Sequence, residues 1–202
     1  CLRNGIDPVT QTIPVACAAH YHMGGIETDM NGRASLGHLW VCGEAASTGL
    51  HGANRLASNG LLEALVYARQ AAHDIATVVP VKDAAEVDFG FTDGGTDAFD
   101  PASMALLRNV MTTHVGVLRT SAGLKAALSE IAALEKAESQ SRTFANMTAT
   151  ATLIAACALQ RKESRGGHYR TDYPETDPAQ AHRSRMTLEQ ALDIRARYAE
   201  DI

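Results

Sequence analysis

The chain of 202 residues is 46% apolar and 20% charged, enough to bury a core in one domain or in two small ones. Its formal charge of -5 and isoelectric point near 5.9 supply no basic field to gather a polyanion, so nucleic-acid binding is not expected. No apolar run approaches the ~18 residues of a membrane-spanning helix, so no membrane segment is expected either.

Residues Cys1 to Pro8 carry neither a basic n-region nor an apolar h-region, and the first residue is not methionine. The chain is therefore expected to begin inside a larger one. Its four cysteines, Cys1, Cys17, Cys42 and Cys157, form no CxxC pair and are too few to staple a fold of this size, which points to a reducing, cytoplasmic setting. Cys17, His20 and His22 lie close in sequence, but no second ligand cluster completes a tetrahedral set, and no metal is expected.

In chain order, Gly25-Ile26-Glu27-Thr28-Asp29 reads as a strand and Met30-Asn31-Gly32 holds an Asn-Gly turn signal. Leu39-Trp40-Val41-Cys42 fits a short buried strand ending at Gly43-Glu44. From Gly60 to Ile75 the apolar residues Leu61, Leu62, Leu65, Val66, Ala68, Ala72 and Ile75 recur at three- and four-residue steps. They predict a helix capped by Ser58 or Asn59 and stopped by Pro80. Val81 to Pro101, rich in aspartate and glycine, reads as a linker.

Three helices are predicted beyond it, Ala102 to Leu118, Ala122 to Glu138 and Arg142 to Lys162, joined by turns short enough to make an antiparallel bundle. Residues 164–186, with Gly166, Gly167, Pro174 and Pro178, read as an extended loop. Thr187 to Tyr198 then reads as a last amphipathic helix, with Thr187 and Gln190 spaced as a capping box. The fold class is α+β: short strands and one helix, then a helical bundle.

Two clusters concentrate glycine, histidine and polar residues without helical or strand periodicity: His20-Tyr21-His22-Met23-Gly24-Gly25, and Gly43-Glu44 continuing through Gly49-Leu50-His51-Gly52-Ala53-Asn54-Arg55-Leu56-Ala57-Ser58-Asn59-Gly60. A loop of the second kind sets the start of a helix at the end of a strand. Free N–H groups and the positive end of the helix dipole favour negative charge there. A turn whose glycines serve only positive φ angles would look the same. Arg55 can fork onto a carboxylate, and His20 or His51 can add a donor, as a small dicarboxylate would need; taken singly, an arginine is more often a solvated or ion-paired surface residue and a lone histidine more often structural.

Taken together, these two clusters resemble the paired signature of the succinate dehydrogenase, fumarate reductase and L-aspartate oxidase flavoproteins. Glu163-Ser164-Arg165-Gly166-Gly167-His168-Tyr169 is similar to that family's motif after its helical domain. The resemblance implies FAD as cofactor and a two-electron oxidation at a dicarboxylate carbon. It implies that His20 and Arg55 bind substrate carboxylates, and that Glu44, Ser58, Gly60 and Leu61 contact the flavin. Gly60 departs from the serine common there, so a hydroxyl contact is lost while the backbone contact can remain.

The resemblance also implies a domain plan. Residues 1–22 would close a substrate (capping) domain, 23–79 would be the C-terminal part of an FAD-binding domain, 80–100 a linker, and 101–202 a helical domain. No GxGxxG occurs in the chain, so the phosphate-binding turn and the proton-carrying arginine of the family are expected upstream, with no catalytic residue in this stretch. The chain alone is then expected to hold flavin weakly, if at all, and to be inactive. Asp172-Tyr173-Pro174-Glu175 is similar to the aspartate oxidase branch. That branch implies L-aspartate or another C4 dicarboxylate as substrate, oxygen or fumarate as electron acceptor, and a functional link to quinolinate synthase in NAD synthesis. A respiratory flavoprotein subunit and a non-catalytic helical docking module are the alternatives.

Overall fold

The computed structural model describes residues 1–15, 20–78 and 97–199. Cys17, Pro80 and most of the expected linker, through residue 96, lie outside them. Two compact units are present: Cys1–Leu50 with Ala57–Asp74, and His51–Leu56 with Ile75–Ile202.

In the first unit, strand β1 (Ile26–Glu27) pairs in parallel with β2 (Ala46–Ser47), Ile26 opposite Ala46 and Glu27 opposite Ser47. Gly25 permits this pairing. Its φ is 141°, and a Cβ there would sit 2.4 Å from the Ala45 carbonyl oxygen, a space only glycine leaves open. The Asn31-Gly32 turn forms as expected. The Asp29 carboxylate accepts from the N–H groups of Asn31 (2.8 Å) and Arg33 (2.9 Å), while Gly32 takes a φ of 77°.

Leu39–Cys42 does not form the buried strand expected of it. Trp40 makes an isolated antiparallel bridge to Arg33, and the Val41 N–H donates to the Gly32 carbonyl at 2.8 Å. Among the described residues a single bridge, not a ladder, holds this run, and Leu39 and Cys42 are exposed. An apolar run becomes a strand only where a partner backbone continues the hydrogen bonding.

Helix α1 (Asn59–Val78) starts at Asn59 and continues past Ile75. Asn59 lies inside the helix, and Ser58 takes a φ of 66° instead of the extended conformation of an ordinary N-cap. The face it buries differs from the one expected. Glu63, Tyr67 and Ala71, spaced by one helical turn, are buried, whereas Leu61, Leu62, Leu65 and Val66 are 79%, 59%, 70% and 55% exposed. The periodicity identified a helix, but the side facing the β1–β2 segment carries the carboxylate and the phenol. At its far end Asp74 accepts a fork from Arg33 (2.5 and 2.6 Å) and the Trp40 indole N–H at 2.8 Å, tying the two residues of that bridge to α1.

The second unit contains α2 (Pro101–Val115), α3 (Ser121–Ala137), α4 (Arg142–Gln160) and α5 (Leu188–Ala199). Helix α3 packs against all three others. Its Leu124, Ala127, Leu128 and Ile131 are fully buried with Phe144, Ala155 and Ala156 of α4 and Ala191 of α5. Alanines on facing stripes let these helix axes approach closely. Glu135, Thr148, Thr152 and Arg195 form a polar seam across α3, α4 and α5, with Arg195 forking onto Glu135 at 2.8 and 2.9 Å.

Side-chain caps fix the starts of these helices. Asp100, Thr120 and Ser141 accept from the N–H groups of Ala102, Gly123 and Phe144. Thr187 and Gln190 close the expected capping box reciprocally, at 2.9 and 3.2 Å. Helix α2 ends at Val115, short of the expected Leu118, because the Arg119 guanidinium folds back onto the Val115 and Gly116 carbonyls at 3.1 and 2.9 Å. Helix α4 ends at Gln160, where Arg170 covers its last carbonyls, as described below.

Phe144 is fully buried and stacks at a tilt on Phe99, with centroids 5.7 Å apart. Phe144→Ala is expected to cost about 3–5 kcal/mol of the helical unit's stability, read as a lower midpoint in urea unfolding followed by circular dichroism. Ser141→Ala, which removes only a cap, should cost about 1 kcal/mol in the same assay.

Candidate functional site

In the first unit the histidine cluster has almost no regular structure, so side chains fix its path. The Tyr21 hydroxyl donates to one oxygen of Glu63 at 3.2 Å, and the Thr48 hydroxyl donates to the other. The Glu63 carboxylate is only 2% exposed. It therefore ties the His20 cluster and the loop after β2 to the first turns of α1. A second tie lies one residue further on, where the His22 N–H donates to Glu44 Oε1 at 2.8 Å. Glu44 sits in the 3-10 turn Gly43–Ala45, which Gly43 enters with a φ of 73°. His20 itself is exposed.

Sequence reasoning missed Tyr21, Thr48 and Glu63. The available signal was a carboxylate in line with Tyr67 and Ala71 at four-residue spacing on an otherwise apolar helix. A buried carboxylate needs donors, and the hydroxyls that flank the two clusters are those donors.

Ser58, Gly60 and Leu61 lie together at the start of α1. The first turn there carries no acidic residue, and the first N–H groups of a helix have no partner within it. Gly60 is half-buried and Leu61 is 79% exposed. Backbone donors beside an exposed apolar side chain are the chemistry that a flavin's pyrimidine edge and ring face require, so these residues fit that group.

Arg55 belongs to the second unit, in the segment His51–Leu56. It is half-buried, and its guanidinium donates to the Leu56 carbonyl at 3.0 Å. The carbonyl of Ala53 accepts from the Gly167 N–H at 3.1 Å. The expected extended loop 164–186 thus opens with a tight reversal, in which Arg165 and His168 exchange backbone hydrogen bonds of 2.8 and 3.1 Å.

Buried charges hold this reversal. Glu163, fully buried, accepts from Arg165, Arg161 and the Asp177 N–H. Arg170, also fully buried, donates to the Ala158, Leu159 and Arg161 carbonyls, and forks onto Asp172 at 2.8 Å. His168 Nδ1 lies 2.9 Å from the Arg119 guanidinium and Nε2 lies 3.2 Å from the Arg161 carbonyl. A guanidinium only donates and a carbonyl only accepts, so the imidazole is neutral with its proton on Nε2. Burial, with the positive charges of Arg119, Arg170 and Arg161 adding to it, holds the His168 pKa below its usual value.

The comparisons with known proteins converge. Residues 2–61 match the FAD binding domain, and residues 139–200 match the fumarate reductase flavoprotein C-terminal domain. An L-aspartate oxidase from Rhodospirillum rubrum is 49% identical over 91% of this chain and 66% of its own length. One from Xylella fastidiosa strain Temecula1 is 46% identical over 96% of this chain and 36% of its own. The chain thus spans less than two thirds of the first relative and about a third of the second. An E. coli quinol fumarate reductase structure superposes with a TM-score of 0.70 at 31% identity, covering 88% of this chain and 36% of that one. Mycobacterium smegmatis Sdh1 superposes at 0.63 and 32%, covering 78% and 31%.

The flavin-suited helix start and the paired matches place the chain in the class of FAD-binding flavoproteins, with FAD as the cofactor. More narrowly, the chain belongs to the family of succinate dehydrogenase, fumarate reductase and L-aspartate oxidase flavoproteins.

Hydrogen bonds from Arg165, with those of Asp177 and Arg161, outweigh burial and draw the Glu163 pKa from 4.5 down to about 2. A carboxyl more acidic in the folded state stabilises it fully above its unfolded pKa, and that stabilisation is lost as pH falls from about 4.5 to about 2. Asp172, held below the usual carboxylate range chiefly by Arg170, acts in the same direction. The helical unit is expected to lose stability across that window. Glu163→Gln should flatten the loss, as followed by urea midpoints at stepped pH.

Proposed function

We propose that the whole protein oxidises L-aspartate to iminoaspartate with oxygen or fumarate as electron acceptor, as the first step of NAD synthesis and functionally linked to quinolinate synthase. The observation that carries this reading is the identity of up to 49% to proteins named L-aspartate oxidase, against 31% to the fumarate reductase structure. The same reading makes residues 1–22 the end of a substrate domain, 23–79 the close of the FAD-binding domain, and 80–100 the link to the helical domain. It also carries the cytoplasmic location expected from the sequence.

FAD, when bound, supplies the two-electron acceptor for the hydride leaving the substrate's α-carbon. This chain's own residues bind and orient. Arg55, whose charge is fixed and whose fork matches a carboxylate, and His20, as a further donor, are the residues assigned to substrate carboxylates. Glu44, Ser58, Gly60 and Leu61 hold the cofactor, with backbone N–H groups of the α1 start serving its pyrimidine edge. The amine proton that must leave as the imine forms is taken by a group outside this stretch.

In the full-length flavoenzyme, Arg55→Leu is expected to lower kcat/KM for L-aspartate about 10²-fold or more, measured as aspartate-dependent peroxide formation, while visible flavin absorbance is retained. Undiminished turnover would overturn the assignment of Arg55. A preference for succinate over aspartate in the wild-type enzyme would instead favour a respiratory subunit.

A further inference from the structure

The Ala53 carbonyl, two residues before Arg55, lies so close to Gly166 that a Cβ there would be 2.2 Å from the carbonyl oxygen and 2.8 Å from the Ala53 Cβ. Gly166 also takes a φ of 57°, a left-handed conformation that side chains disfavour. The Gly167 N–H donates to the same oxygen at 3.1 Å. The contact is long-range in sequence and joins the Arg55 segment to a reversal whose base is locked by Glu163, Arg165 and His168. A glycine required on two independent grounds, and braced by buried charges, marks a position where the backbone of the partner loop must not move.

We infer that the Arg165–His168 reversal is a positioning element for substrate binding, setting the place of Arg55 by clamping the Ala53 carbonyl. This rests on the reading that Arg55 binds a substrate carboxylate. No residue of the reversal touches substrate in this account. Gly166 acts by allowing the approach, Gly167 by donating its N–H, and His168 by holding the base of the reversal between Arg119 and the Arg161 carbonyl. Because the clamp sets where a binding group sits and leaves the electron acceptor alone, its loss acts on affinity and leaves the rate at saturation in place.

The test is Gly166→Ala in the full-length flavoenzyme, with KM and kcat for L-aspartate and the Kd of succinate read from its perturbation of the flavin spectrum. The expected result is a rise of roughly tenfold or more in KM and Kd, with kcat within about twofold and flavin content unchanged. Wild-type KM and Kd in the folded, flavin-loaded variant would overturn the inference, as would a fall in kcat that tracks loss of flavin. If Gly166→Ala is insoluble, His168→Ala decides, since it loosens the base without touching Ala53. It should raise KM in the same direction by a smaller factor, and an unchanged KM overturns the clamp. Arg55→Leu separates the two readings. If it leaves turnover intact, the assignment of Arg55 fails; if it abolishes turnover while the Gly166 and His168 variants bind normally, the clamp alone fails.

Discussion

The two glycine- and histidine-rich clusters have almost no secondary structure of their own, and the requirement that buried side chains replace the missing backbone ladders shapes both units. Strands β1 and β2 are two residues long, too short to fix the loops beyond them. Glu63 takes over that work in the first unit by accepting two hydroxyls from different loops at the root of α1. A carboxylate suits the task because it accepts in several directions, and a fully satisfied buried acceptor resists rearrangement: any loop shift leaves a polar group without water or a partner.

The same logic appears with opposite charge in the helical unit. Arg170 is fully buried, and its donors serve three carbonyls at the end of α4 as well as Asp172 and Ser121. Such an arginine is compatible with the interior only when every donor has a partner. Its burial is therefore evidence that the turn from α4 into the 163–173 stretch has one geometry. The bundle beneath supplies the rigid floor: alanines on α3 and α4 bring the helices close, and the polar seam through Glu135 and Arg195 fixes the register of α5 against them.

Much of this architecture was legible in the sequence because it depends on local chemistry. The capping box at Thr187, the Asn31-Gly32 turn and the existence of α1 to α5 follow from residue type and spacing. What could not be read depends on partners distant in sequence. Leu39–Cys42 has the composition of a buried strand, but strand formation needs a second backbone, which a single bridge to Arg33 only begins to supply. The leucines of α1 announce a helix without saying which face is covered, and the buried face carries Glu63. The functional clusters were recognisable by their order along the chain, whereas the carboxylates and arginines that hold them became visible only when the fold brought residues 21, 48 and 63, or 53 and 167, together.

Composition drew the boundary between the two halves near residue 80, where glycine-rich segments give way to alanine-rich helices. The contacts draw it differently, because His51–Leu56 groups with the helical unit through Ala53. A short excursion of this kind has a physical rationale. A loop flanked by glycines, as Gly49 and Gly52 flank its start, has little power to fix its own path. A binding arginine on such a loop would lose orientational entropy on every encounter with substrate unless the loop were ordered beforehand. Anchoring it on a bundle that owes its stability to Leu124, Ile131 and Phe144 places the cost of that order in folding instead of in binding. On the substrate-binding role proposed for Arg55, the helical unit takes part in orienting that residue through the Ala53 carbonyl.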